Sequence, residues 1–151
     1  MEKNSHLKKH LGYWLSRLQT QIHISFEHRL SLYSISVAQW CILISLYDKQ
    51  ANSLMSLAKY IEVHKSAISR VVEQLVKNSL VTINDGADKR SQVITLTEKS
   101  QKLVPQLLAE ANKNDEWYFN CLNADEISQL KSIIKKMIGY KTKINLNNFM
   151  E

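Results

Sequence analysis

The sequence predicts a mainly α-helical chain that carries one small β-hairpin. Three observations predict it. The 151 residues include only 3 glycines and 1 proline, a composition suited to long helices with short connections. Apolar residues recur at steps of three and four over much of the chain, the spacing of amphipathic helices. Between residues 80 and 96 that spacing gives way to LVTIN and QVITL, alternating or β-branched runs of the kind that form short strands.

The first helix is read over residues 7–30, with Leu7, Leu11, Trp14, Leu15, Leu18, Ile22, Phe26 and Leu30 on one stripe. At 1.5 Å per residue it extends about 36 Å. That is long for a small globule, so part of its apolar face is expected to pack on another chain. Ser36 starts a second helix. Ser36 and Gln39 have the spacing of a capping box, and Ile35 and Trp40 that of a hydrophobic staple. This helix runs to about Tyr47 and is apolar nearly all round, which predicts a central, buried position.

Ser53 caps a short helix from Leu54 to about Tyr60. The stretch VHKSAISRVVEQLV, residues 63–76, gives the next, from about Lys65 to Lys77. Two short helices separated only by Ile61-Glu62-Val63-His64 make a helix-turn-helix. The strands at 80–84 and 92–96 then flank DGADKRS, residues 85–91, so a hairpin with a charged tip follows. A helix-turn-helix followed by such a hairpin is a winged helix.

Thr97 is placed to cap a helix running to about Cys121. Pro105 within it removes one backbone hydrogen bond and should kink the helix or cost about 3 kcal/mol. Asn123 and Glu126 have capping-box spacing for a last helix carrying Ile127, Leu130, Ile133, Ile134, Met137 and Ile138. Gly139 is the expected stop. The tail NLNNFME reads as disordered, and there is no internal repeat or Pro/Gly/Ser-rich linker.

The formal net charge is +6, which is consistent with a polyanionic partner. No apolar run approaches the roughly 20 residues needed to span a bilayer. The N-terminal MEKNSHLKKHLGYW lacks the apolar centre of a signal peptide, so a cytoplasmic protein without membrane contact is expected. Cys41 and Cys121 show no zinc spacing and sit in apolar helical patterns, so both are read as small buried hydrophobes. A redox-sensing thiol would need a lowered pKa and exposure. His6 and His10 lie one helical turn apart, but two ligands alone are a poor metal site. With no Gly-rich phosphate loop, nucleophile elbow or close carboxylate pair, no enzyme, cofactor or metal is expected.

Residues 63–76 carry two stripes. Ile68, Val71, Val72, Leu75 and Val76 are apolar; Lys65, Ser66, Ser69, Arg70, Gln74 and Lys77 are polar or basic. A helix that reads a major groove needs one face to anchor it and a second with small or hydrogen-bonding side chains near its N-terminus. Lys65, Ser66, Ala67, Ser69 and Arg70 fit the second face. Serines can bond base edges or phosphates, and arginine can fork onto guanine O6 and N7. A merely solvated face usually carries Glu–Lys pairs, yet no acidic residue occurs before Glu73. In the wing, Lys89 and Arg90 are placed to contact DNA, Arg90 in a narrow minor groove. Asp88 is given a structural role in holding the loop.

These residues carry a resemblance to the MarR family of bacterial transcriptional regulators. The family's pattern is matched by Leu57-Ala58, Ser69-Arg70, Leu80-Val81, Asp88-Lys89-Arg90 and Leu96-Thr97. LGYWLSRL and VAQWCIL also resemble stretches of family members, and element order and length agree over residues 7–140. The family often has glycine where Ser79 and Ser100 stand, and serine where His64 stands. Asn78 is expected to take the left-handed cap instead, and His64 to weaken its helix start by about 1 kcal/mol.

The resemblance implies a homodimer whose first and last two helices interlock. The chain then divides into helical dimerisation regions at 1–35 and 98–145, a winged helix-turn-helix at 36–97, and a disordered tail at 146–151. It implies a regulator, by expectation a repressor, on a pseudo-palindromic duplex with half-sites roughly 34–36 Å apart. It also implies release by a small aromatic or phenolic ligand, for which Tyr13, Trp14, Arg17, Tyr33 and Trp40 are the candidate lining; aromatics at helical spacing are otherwise core. Two alternatives stand beside this reading: a winged helix used only for protein contacts, and a thiol-based redox-responsive regulator.

Overall fold

The computed structural model describes residues 6–86 and 92–143. The chain forms two compact units, Met1–Asn114 and Asp115–Glu151.

The first unit opens with a short 3-10 turn, Leu7–Lys9, and then α1, Leu11–Ser31. The helix expected from residue 7 is interrupted because His10 is extended, with φ −88° and ψ 125°. Next come α2 (Val37–Tyr47), α3 (Leu54–Ile61) and α4 (Lys65–Lys77). Strands β1 (Val81–Asn84) and β2 (Val93–Leu96) pair antiparallel, with Val81 opposite Leu96 and Asn84 opposite Val93. Then α5 begins at Glu98 and runs to Phe119 as one continuous helix that accommodates Pro105.

The caps explain the boundaries. The Gln39 amide donates to Ser36 Oγ at 3.1 Å, and the Ser36 amide to Gln39 Oε1 at 3.0 Å, a complete capping box for α2. Ser53 and Ser56 close the same box on α3 at 3.1 and 2.9 Å. The core gathers Leu30, Ile35, Ile42, Leu43, Leu57, Ile68, Val72, Leu75, Leu80, Val81, Ile94, Val104 and Leu107. As expected, α2 is central: it buries Gln39, Ile42, Leu43, Ser45 and Leu46.

Each of α1 to α4 is followed by a left-handed residue that is not glycine: Ser34, Lys49, Glu62 and Ser79, with φ between 56° and 61°. After α4 the left-handed residue is therefore Ser79; Asn78 sits at φ −86° and ψ 6°. The Leu80 amide reaches the Leu75 carbonyl at 2.9 Å and the Ser79 amide the Val76 carbonyl at 3.0 Å, a Schellman closure. Leu75 and Leu80 are both buried, and that apolar contact sets the position of the turn one residue later than the sequence suggested.

In the second unit, the Asn123 amide donates to Glu126 Oε2 and the Glu126 amide to Asn123 Oδ1, both at 2.9 Å. This box starts α6, Ala124–Lys143. The helix does not stop at Gly139. No glycine has positive φ among the described residues, and a helical glycine costs only about 1 kcal/mol relative to alanine. Cys121 is exposed rather than buried, because α5 ends at Phe119 and leaves it in the following turn. Ile127, Ile133, Ile134, Met137 and Ile138 are exposed along α6. The expected disordered tail lies outside the described residues. Among the described residues no helix is long and apolar enough to cross a membrane.

Candidate nucleic-acid interface

The two stripes of residues 63–76 separate in space on α4. Ile68, Val72 and Leu75 are buried, with Val71 packed against the core at half burial. Val76 departs from the expected apolar stripe and is 40% exposed. On the opposite face Lys65, Ser66, Ala67 and Arg70 are exposed, and Ser69 is half-buried at the boundary. Their side chains make no hydrogen bond or ion pair among the described residues. Four hydrogen-bonding side chains, two of them cationic, thus stand together over the first two turns, on a helix whose other face is fixed in the core.

The approach to α4 is built by α3 and the turn after it. Glu62 adopts φ 61° and ψ 45°, and the Val63 amide returns to the Ala58 carbonyl at 3.0 Å. This reverses the chain within a few residues and presents the N-terminus of α4 at the surface. His64 occupies the N-cap with no side-chain capping bond, in line with the weak start expected for it.

The hairpin is fixed at its base. Thr82 and Thr95 hydroxyls are 2.8 Å apart across the strands. Gln92 Nε2 donates to Asp85 Oδ1 at 3.2 Å just below the tip. The outer side of β2 is held by the Ile94 amide, which donates to the Asn52 carbonyl at 2.8 Å. Nothing in the local pattern around Asn52 signals this third contact. Asp88, Lys89 and Arg90 lie outside the described residues.

The five proposed ligand-lining residues fall into two groups within one chain. Tyr13 and Trp14 meet edge-to-face at 5.2 Å, with Trp14 Nε1 donating to the Lys8 carbonyl at 2.8 Å, and Arg17 is exposed on the same helix. Trp40 meets Phe26 edge-to-face at 5.8 Å, and Tyr33 and Trp40 pack against the core. Phe26 is about 20 Å beyond Tyr13 along α1 at 1.5 Å per residue. A groove of about 810 Å³ lies elsewhere, lined by Leu46, Tyr47, Lys49, Asn52, Ile94 and Gln101 among others, and by none of the five.

A buried polar cluster escaped the sequence reading. Glu110 accepts from Lys113 Nζ at 3.0 Å and Arg29 Nη1 at 3.4 Å. Asn114, only 2% exposed, accepts from Ser25 Oγ at 2.7 Å and donates to the Ile22 carbonyl at 3.3 Å. The Lys113 hydrogen bond holds the Glu110 carboxyl below its usual range; burial opposes this, and Arg29 reinforces it. Elsewhere, burial pushes the Cys41 thiol up, away from the thiolate a redox sensor requires.

Residues 35–91 match the family described as MarR. Among solved structures, the chain is similar to Bordetella bronchiseptica BpsR, whose DNA binding is regulated by 6-hydroxynicotinic acid. Identity is 25%, coverage 89% of this chain and 97% of that one, and the TM-score 0.79. It is similar to a MarR transcriptional regulator from Methanosarcina mazei Go1, with 26% identity, 89% and 98% coverage and a TM-score of 0.76. Staphylococcus aureus MepR in its DNA complex shares the fold at 20% identity, 87% and 98% coverage and a TM-score of 0.80. Residues 35–91 thus match the MarR family, and over 89% of its length the chain is similar in fold to winged helix-turn-helix transcriptional regulators of that family.

Proposed function

We propose that the protein is a sequence-specific double-stranded DNA-binding repressor that acts as a homodimer on a pseudo-palindromic operator and is released by a small aromatic ligand. The observation that carries this is the face of α4 that has no partner among the described residues: Lys65, Ser66, Ala67, Ser69 and Arg70, exposed or half-exposed, on a helix anchored by Ile68, Val72 and Leu75. Such a face has the two properties a major-groove reader needs, close approach and hydrogen-bonding capacity. Lys89 and Arg90 extend the contact from the wing tip, with Asp88 structural. That Escherichia coli MarR and MepR were both solved on DNA supports the reading.

Homodimerisation is supported by apolar surface that a lone chain leaves in water. Leu7, Leu11, Trp14, Leu15 and Leu18 are 39–66% exposed on the N-terminal stripe. Contiguous apolar surface of this kind marks an association face. The ligand reading rests on Tyr13, Trp14, Arg17, Tyr33 and Trp40, a cation among aromatics. The effector of BpsR, an aromatic acid, supports that class. Since the five residues form two groups along one chain, a single ligand meets both only where two chains adjoin.

Selection from a random duplex library tests the function. A paired motif with half-sites about one helical turn apart is expected; recovery of no enriched sequence overturns the reading and favours a protein-interaction module.

A further inference from the structure

The last carbonyls of the α4 exit are all held by the start of α5. Lys99 Nζ donates to the Asn78 carbonyl at 3.2 Å, Thr97 Oγ1 to the Ser79 carbonyl at 2.8 Å, and the Thr97 amide to the Leu80 carbonyl at 3.2 Å. Three consecutive acceptors are thus clamped by two residues. Thr97 Oγ1 also accepts from the Ser100 amide at 3.3 Å, capping α5. Ser100, fully buried, returns its own hydroxyl to the Thr97 carbonyl at 3.0 Å. One hydroxyl therefore donates to the end of one helix and accepts from the beginning of another.

We propose that Thr97 is a positioning residue for DNA reading: its hydroxyl sets the pitch at which α4 is presented, by clamping the α4 exit to the α5 start. The inference rests on the proposed DNA-reading role of α4 and adds a residue that touches no DNA. The geometry is suited to it. The clamp lies at the C-terminal end of α4, while the reading face lies over Lys65 to Arg70, so a small rotation at Ser79 is carried along a rigid helix to the base edges. The β1–β2 base is engaged by the same residue, through the Thr97 amide and Leu80. Helix and wing thus share one anchor. A loosened clamp should blur the register of base contacts while leaving the charge of the surface unchanged.

The test separates the two jobs of the hydroxyl. Thr97→Ser keeps donor and acceptor. Thr97→Asp keeps the cap of α5 and loses the donor to Ser79. Thr97→Val loses both. Affinity is measured for the duplex selected by the wild type and for a scrambled duplex, at a temperature where circular dichroism shows each variant folded. The selected-to-scrambled ratio should fall about tenfold for Thr97→Asp and Thr97→Val, as for a lost base contact, and should be retained by Thr97→Ser. A ratio unchanged in Thr97→Asp, or lost only in Thr97→Val, overturns the positioning role and leaves Thr97 a helix cap. A wild type that does not discriminate the duplexes overturns the DNA reading itself, and the clamp's role with it.

Discussion

The amide of Leu80 donates to the carbonyl of Leu75 at 2.9 Å, across a serine held at φ 57°. That contact ends the candidate recognition helix and delivers the chain into β1. Left-handed backbone costs an L-residue with a Cβ roughly 1–2 kcal/mol, and glycine escapes the cost. Ser79→Gly should therefore raise stability by about 1 kcal/mol, which is about 2–4 °C in thermal midpoint. The Ser79 carbonyl that Thr97 uses is main chain and survives the change. A midpoint lowered by differential scanning calorimetry would contradict this account of the turn.

Arg70→Ala should weaken binding to the selected duplex by about 1–3 kcal/mol, and Arg90→Ala likewise. Arg70 is exposed on α4, so its thermal midpoint should stay at the wild-type value. Wild-type affinity should fall steeply with salt, with a log–log slope of about −0.9 per phosphate contacted. Equilibrium binding across a salt series reads all three; wild-type affinity in both arginine variants would refute the assignments.

Leu15→Glu places a charge in the exposed apolar stripe of α1. Sedimentation should report a dimer for the wild type and a monomer for this variant, each with the same helical circular dichroism. A wild-type monomer at micromolar concentration would sink the dimeric reading.

The Glu110 carboxyl is held below its ordinary pKa, chiefly by Lys113. A lowered folded-state pKa contributes stability above the unfolded value, about 4.3 for glutamate, and that contribution is lost as pH falls through the folded value. Urea unfolding followed from neutral pH into that acid range should show Glu110→Gln less stable than wild type at neutral pH. The difference should close on acidification. A gap that stays constant with pH would show that packing, and not charge, is what the substitution removes.

Iodoacetamide should modify Cys121 before Cys41 in the native protein, since Cys121 is exposed and burial raises the Cys41 thiol. Mass spectrometry of partly labelled protein gives the order, and denaturant should abolish it. Faster labelling at Cys41 would reopen the redox alternative.

What was legible in the sequence was local. Ser36 with Gln39 and Asn123 with Glu126 are three residues apart, and both boxes close as spaced. The bounds of α4 and the strand pair were readable for the same reason, since periodicity reports which face is buried. The misreadings came where a residue's usual preference gave way to burial or to the helix already running. Gly139 looked like a stop but stays helical. Asn78 looked like the left-handed residue, but Leu80 must bury beside Leu75, which places the turn at Ser79. Glu110 and Asn114 carried no signal in the sequence, because their partners Arg29 and Ser25 lie more than 80 residues away. Of the candidate site, the reading face of α4 was visible from residue type and spacing. The clamp at Thr97 was visible only as a cap, because its second partner, Ser79, belongs to another element.

The hairpin is gripped at its foot from three directions, by Asn52 on Ile94, by Thr82 on Thr95, and by Leu80 on Thr97. The wing residues proposed to meet DNA, Lys89 and Arg90, come after the first strand and before the second in sequence, outside all three of these contacts. These grips are complete without the tip, as a handle is complete before its bit is fitted, so exchanging residues 87–91 for those of another regulator should leave all three in place.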